Sequence, residues 1–150
     1  MQILYRKVIA ASIAGTIHSI LLGLLFPAQF IQPTDDSAFF TIVMTIIPTY
    51  MVYVLPVIFT YGIACSIASD TIGNFISKKS NDRRIGIIVS GSLHIVFGLV
   101  LLLFSLIGAV VFFLVDQILV KLDRKYTFLF SVTSLFFPIL LLGVCVMSAS

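Results

Sequence analysis

Charge is scarce in this chain, and glutamate is missing altogether. Its 150 residues hold nine Lys and Arg and six acidic residues, all Asp, so 10% of positions are charged. An ordinary soluble domain has about 25%, so a soluble domain of usual composition is excluded. Catalytic signatures are missing too. There is no GxSxG, no HExxH, no phosphate-cradling glycine loop and no CxxC, and the chain is read as a non-enzyme. Only two cysteines occur, Cys65 and Cys145, without zinc-ligand spacing, so both are read as small reduced core residues facing the cytoplasm. No cofactor, no metal and no nucleic-acid partner is expected, because the basic clusters sit at the edges of apolar runs.

What is abundant is hydrocarbon: 60% of residues are hydrophobic and the mean hydropathy is +1.20. A bilayer-crossing helix needs roughly 20 mostly apolar residues. Four stretches meet that length: Val8 to Ile31, Ala38 to Ala64, Ile85 to Val115 and Phe128 to Met147. The expected fold is an all-α integral membrane four-helix bundle, one transmembrane domain over residues 1–150 with the bilayer as its partner. Arg6 and Lys7 before the first span resemble the start of a secretory signal. The exit Phe26-Pro27-Ala28-Gln29 offers no small-x-small cleavage site, so a retained first helix is expected.

Orientation follows the basic residues. Arg6, Lys7, Lys78, Lys79, Arg83 and Arg84 fall on one side of a four-span layout and Lys121, Arg124 and Lys125 on the other. Six against three favours both termini in the cytoplasm of a bacterial cell, with the acidic "QPTDDS" connection (Asp35, Asp36) outside.

The two histidines stand in matching places, "GTIHSI" at 15–20 and "GSLHIV" at 91–96. A shift of 76 residues lays His18 on His94, Lys7 on Arg83 and Gly15 on Gly91, and "GIACSIAS" faintly matches "GVCVMSAS". Two repeated helical hairpins are one reading, and chance alignment of apolar segments is the other. Each histidine lies roughly 15 Å from its basic flank, near the centre of a ~30 Å hydrocarbon layer. An ionisable residue at that depth is a functional candidate. Thr41, Thr45, Thr49, Tyr53 and Thr60 lie on one arc of the second span, which Pro48 and Pro56 interrupt. The candidate intramembrane polar site is therefore His18, His94, Thr49 and Tyr53. Either it relays protons or passes solute, or the histidines bond to carbonyls or hydroxyls and orient the helices.

Gly15, Gly91 and Gly98, with Ala10/Ala14 and Gly86/Ser90, form small-residue faces that let backbones approach, and the first and third spans are expected to meet through them. The linker "SDTIGNFISKKSNDRR" places Ile72, Phe75 and Ile76 at helical spacing before Lys78, Lys79, Arg83 and Arg84. It reads as a lipid-surface contact or a plain topology signal. "DQILVKLDRKY" is expected to continue the third helix, with Gln117, Lys121, Arg124 and Lys125 on one face.

"YGIACSIASD", "ISKK", "HIVFG" and "FFLVDQIL" together resemble an uncharacterised family of small four-pass membrane proteins of Bacillus-type bacteria, over about half the chain. The resemblance implies four helices in a bacterial inner membrane and makes Tyr61, Gly62, Ser66, Asp70, His94, Gly98 and Asp116 pattern positions. It supplies no activity. Small drug exporters of four helices use a carboxylate buried in the first helix, and no acidic residue lies in this one. Two roles stay open. One is a non-enzymatic membrane protein acting through helix–helix association with itself or with other membrane proteins. The other is an oligomeric protein that passes protons, ions or small solutes along a midplane histidine pair.

Overall fold

The computed structural model describes residues 2–27, 36–100, 102–122 and 124–149, which are helical almost throughout. The elements are α1 (Gln2–Leu25), α2 (Asp36–Val57), a π-helical turn (Ile58–Gly62), α3 (Ile63–Ser80), α4 (Arg83–Val100), α5 (Leu102–Lys121), α6 (Phe128–Ser134) and α7 (Phe136–Ala149). Among the described residues, five stretches are long and apolar enough to cross a bilayer: Gln2–Leu25, Ile42–Ser80, Arg83–Val100, Phe104–Lys121 and Phe128–Ser148.

The fifth comes from the third expected span. The run 85–115 holds two helices, α4 and α5, folded back on each other. A Cβ on Gly98 would stand 2.7 Å from Ala109 Cβ and 3.2 Å from Leu106 Cα, and one on Gly91 would stand 3.1 Å from the Phe113 ring. That close approach needs small residues, and hydropathy cannot see the reversal because Leu-Val-Leu-Leu-Leu-Phe (99–104) is apolar throughout. The resemblance to a four-pass family misses this helix as well.

The added reversal reorders the ends. Tyr5 stacks edge-on against Phe128 at 6.3 Å, and its carbonyl accepts from Ser131 Oγ at 3.2 Å. Asp116 reaches Lys7 at 2.7 Å. Lys121, Arg124 and Lys125 therefore join Arg6, Lys7, Lys78, Lys79, Arg83 and Arg84 at one end of the bundle, where a four-span layout splits them six to three. At the far end Tyr50 Oη donates to the Phe26 carbonyl (3.1 Å), and Cys145 Sγ lies 4.0 Å from Met44 Sδ. The first and last helices' outer ends, near Tyr5 and Cys145, lie at opposite ends of the bundle, where a four-span layout expects both termini on one side. The second and fourth spans run in opposite directions, so the two-hairpin repeat is not the architecture. Cys145 is buried at the far end and Cys65 half-buried midway, both as free thiols.

α1 sits in the centre because its sides are small. Ala10, Ala11, Ala14, Ser12 and Ser19 are fully buried, and α2, α5, α6 and α7 all pack on this one helix. Ser134 Oγ donates to Ser12 Oγ at 3.1 Å. The break between α6 and α7 at Leu135 has its cause in Pro138, which offers no N–H to the Ser134 carbonyl.

α2, the π turn and α3 form one continuous rod, whose π turn follows Pro56. Thr60 Oγ1 donates to the Pro56 carbonyl one turn back (2.7 Å). The basic linker is no separate surface segment: α3 runs straight through it to Ser80. Asn81 then adopts the left-handed conformation (φ 53°), and Asp82 Oδ1 accepts from the Arg84 N–H at 2.8 Å to open α4. α5 stops at Lys121, short of the expected continuation, and Tyr126 Oη caps it by donating to the Leu119 carbonyl (2.8 Å). Asp35, Asp123 and the side chains of Asp36 and Thr41 lie outside the described residues.

Candidate functional site

Both histidines wall one cavity of about 450 Å³. His18 enters from α1 and His94 from α4, and the two helices do not meet as the small-residue faces suggested. α5 stands between them: a Cβ on Gly108 would fall 3.0 Å from the His18 ring, and Phe112 and Phe113 lie 6.4 and 5.2 Å from the His94 ring centre. Gly15 instead admits Leu55 and Ile58 of the α2 rod, while Gly91 and Gly98 serve the α4–α5 hairpin. The pair Gly86/Ser90 packs on α3, where a Cβ on Gly73 would come within 2.6 Å of the Gly86 carbonyl oxygen.

The cavity walls are mainly hydrocarbon and aromatic: Leu22, Val54, Val57, Phe97, Phe104 and Phe112 among them. Tyr50 and Tyr61 also contribute, with hydroxyls already committed to the carbonyls of Phe26 and Phe97 (3.1 and 3.0 Å). Tyr53 lines the cavity from its rim and is 70% exposed; Thr49 is exposed and lies outside the lining. The hydroxyl arc of Thr45, Thr49, Tyr53 and Thr60 thus faces outward, and neither histidine bonds to it.

The histidines are 4% and 5% exposed. His94 Nδ1 lies 2.8 Å from the Ser90 carbonyl. A carbonyl oxygen only accepts, so Nδ1 carries the proton and the neutral ring holds its lone pair on Nε2. That Nε2 has no partner, and neither has His18 Nδ1. A buried polar atom left so costs about 1–3 kcal/mol.

One to two helical turns toward the basic end lies a second feature that hydropathy does not show. Lys7, fully buried, gives its three ammonium protons to Ser66 Oγ (2.6 Å), Asp70 Oδ2 (2.5 Å) and Asp116 Oδ2 (2.7 Å). Arg6 binds the same two carboxylates, Nε to Asp116 Oδ1 at 2.9 Å and Nη2 to Asp70 Oδ2 at 3.2 Å. Ser90 Oγ donates to Asp70 Oδ1 at 2.9 Å. Two cations meet two carboxylates, so the cluster is neutral, which is the condition for keeping charge out of water. It joins α1, α3, α4 and α5, closing the bundle below the cavity. Arg6 and Asp70 keep some contact with a polar cleft of about 140 Å³ that Asn74, Arg83 and Gln117 also line. Ser90 links the features, its hydroxyl on the cluster and its carbonyl on His94.

Of the candidate lipid-surface residues, Lys78, Lys79, Arg83 and Arg84 are all exposed around the α3–α4 turn. Among the described residues no group of three or more His, Cys, Asp or Glu is arranged to hold a metal ion. The seven positions of the family resemblance divide between the two features: Tyr61, Gly62, His94 and Gly98 line the cavity, and Ser66, Asp70 and Asp116 build the cluster. Compared with known protein families, curated proteins and solved structures, the chain matches none.

Proposed function

We propose that this chain is a five-pass protein of a bacterial cytoplasmic membrane, its basic end in the cytoplasm, that binds a small and largely apolar molecule without catalysing its conversion. The observation that carries the reading is the cavity of about 450 Å³ walled by both histidines. Its volume falls in the range of small-molecule sites, ~300–1,000 Å³, which are mostly apolar with a few placed polar groups. Hydrocarbon walls suit a small solute better than an aqueous ion path, so of the permeation roles the solute-handling one is supported. Nine basic residues at one end fit the positive-inside rule without exception. The absence of catalytic motifs in the sequence supports a binding role.

The test is saturable binding of naphthalene, which is fluorescent, to the full chain in lipid nanodiscs, corrected for partition into empty discs. One site per chain is expected, with loss in Ser105→Phe, which fills the cavity from α5. Partition equal to that of empty discs would sink the reading.

A second reading, association with itself or with other membrane proteins, has support of its own in the outward side chains of Thr49 and Tyr53. The small-residue faces do not serve it, since Gly15, Gly91 and Gly98 are occupied within the chain. Disulfide capture between chains carrying Thr49→Cys, in a background without Cys65 and Cys145, tests it. Absence of a cross-linked dimer at any lipid dilution would count against it.

A further inference from the structure

We infer that the polar cleft at the basic end is a binding site for a phosphate group, carried by a membrane phospholipid or free in solution. The cleft is separate from the histidine cavity, and its occupant is a second ligand.

The cleft collects donors that the fold itself does not use. Among the polar side chains that line it, Arg6, Asp70 and Ser90 are committed to the charged cluster. The others are Asn74 and Ser77 on α3, Arg83 on α4 and Gln117 on α5. None of these four side chains has a hydrogen bond or an ion pair among the described residues. Three helices thus bring two amides, a hydroxyl and a guanidinium to one space of about 140 Å³. Its lining runs from buried Gly86 and Ser90 to exposed Asn74 and Arg83, so the cleft is reached from the outside.

Charge decides the sign of the guest. Arg6 and Lys7 are balanced by Asp70 and Asp116, so the cluster adds no net charge to the lining. The Asp70 carboxylate is also saturated, Oδ1 accepting from Ser90 and Oδ2 from Arg6 and Lys7. Arg83 is then the uncompensated charge of the lining, and it is positive. Around the α3–α4 turn the exposed cations Lys78, Lys79 and Arg84 outnumber the one acid, Asp82. An anion is favoured. A cavity of about 150 Å³ takes a molecule the size of benzene, so this cleft has room for a phosphate group and little beyond it. A phosphate also offers more acceptor oxygens than a carboxylate to donors spread over three helices, and the guanidinium fork of Arg83 suits it.

The surroundings favour the phospholipid as the source. The cleft lies at the end that carries the nine basic residues, which the proposed topology sets at headgroup level. Ile87 lines it and is 42% exposed, so an acyl chain meets apolar surface beside the phosphate.

The full chain in neutral-detergent micelles is titrated with dioleoylphosphatidylglycerol and, separately, with dioleoylglycerol, which lacks the phosphate. Bound lipid is counted by native mass spectrometry, and inorganic phosphate is titrated alone and followed by ³¹P NMR. One saturable phosphatidylglycerol per chain is expected, with dioleoylglycerol weaker by about tenfold or more, the size expected for charge-assisted hydrogen bonds. Arg83→Gln loses about tenfold, and Asn74→Leu, which removes a donor without changing charge, about threefold or more. Arg84→Gln removes the same charge from a residue off the lining, and in ~0.15 M salt it loses less than about twofold. Far-UV circular dichroism without ligand checks that each variant is folded. If phosphatidylglycerol binds no better than dioleoylglycerol while inorganic phosphate saturates one site that Arg83→Gln removes, the phosphate class stands and its source is the solution. If Arg83→Gln and Arg84→Gln weaken phosphatidylglycerol equally, the attraction is diffuse surface charge and the site falls. If neither phosphatidylglycerol nor inorganic phosphate saturates, it falls as well.

Discussion

Replacing Lys7 by Met and Asp116 by Leu, singly and together, probes whether the charged cluster holds the bundle shut. In the native cluster every Lys7 proton has an acceptor, and Lys7 and Asp116 are 0% and 1% exposed. Asp116→Leu leaves Arg6 and Lys7 facing Asp70 alone, a net positive charge around a fully buried ammonium. Lys7→Met leaves two carboxylates facing Arg6, a net negative one. Removing one partner of a buried pair costs about 3–5 kcal/mol, whereas replacing both by apolar residues of similar volume is often near neutral. The double variant restores neutrality, with Arg6 and Asp70 remaining paired at 3.2 Å and in contact with the polar cleft. Each single variant is therefore expected to lose about 3–5 kcal/mol and the double variant about 2 kcal/mol or less, a coupling of roughly 4 kcal/mol or more. The assay is reversible SDS unfolding in bicelles followed by far-UV circular dichroism. A double variant as unstable as the sum of its singles would refute the reasoning, since residues in direct contact cannot add independently.

Three further outcomes are expected. In a background lacking Cys65 and Cys145, cysteines placed at Lys79 and Lys125 react with an impermeant maleimide from the same side of sealed vesicles and one at Ser148 from the other; labelling of positions 79 and 125 from opposite sides would restore a four-pass layout. Gly73→Val, whose Cβ would lie 2.6 Å from the Gly86 carbonyl oxygen, lowers stability by about 1–3 kcal/mol or more in the same unfolding assay, whereas Gly143→Ala, with nothing within 4 Å, changes it by less than about 0.5 kcal/mol. Gly108→Ala displaces the His18 ring, so the ¹⁵N imidazole resonances of His18 move more than those of His94; equal movement would mean that Gly108 does not seat His18.

Hydropathy reads the helical character of this chain well and its count poorly, for one reason: it measures composition along a line and is blind to a reversal inside an apolar run. The stretch 85–115 is about 46 Å long as one straight helix, against a hydrocarbon layer of ~30 Å. That excess was one signal. The other was electrostatic. Lys121, Arg124 and Lys125 break the six-to-three pattern, and a single extra crossing between Arg84 and Lys121 makes all nine basic residues agree. Two weak irregularities, length and charge, thus point to the same missing reversal, and only their combination specifies it. The repeat misled in the opposite way. The shift of 76 correctly paired α1 with α4, both leaving the basic end with a histidine facing one cavity. It failed for the second and fourth spans, because the added helix changes the parity of everything after it.

The cluster was hidden by the rule that finds spans. The apolar spans, bounded at Val8, Ala64 and Val115, left Lys7, Asp70 and Asp116 outside the expected hydrocarbon core, so they read as flanks. Their partners lie 63 and 109 residues apart in sequence, and no local spacing announces such contacts. The fold supplies what the pattern could not. Small residues on α1 bring α3 and α5 near enough for one ammonium to reach both carboxylates, and a serine on α4 closes the set. That same serine ties charge to cavity. Ser90 holds Asp70 with its hydroxyl and orients the His94 ring with its carbonyl, so the ring's free nitrogen is fixed by a residue that the cluster itself positions. The orientation of His94, set among apolar residues in the sequence, is thus governed by a buried charged cluster.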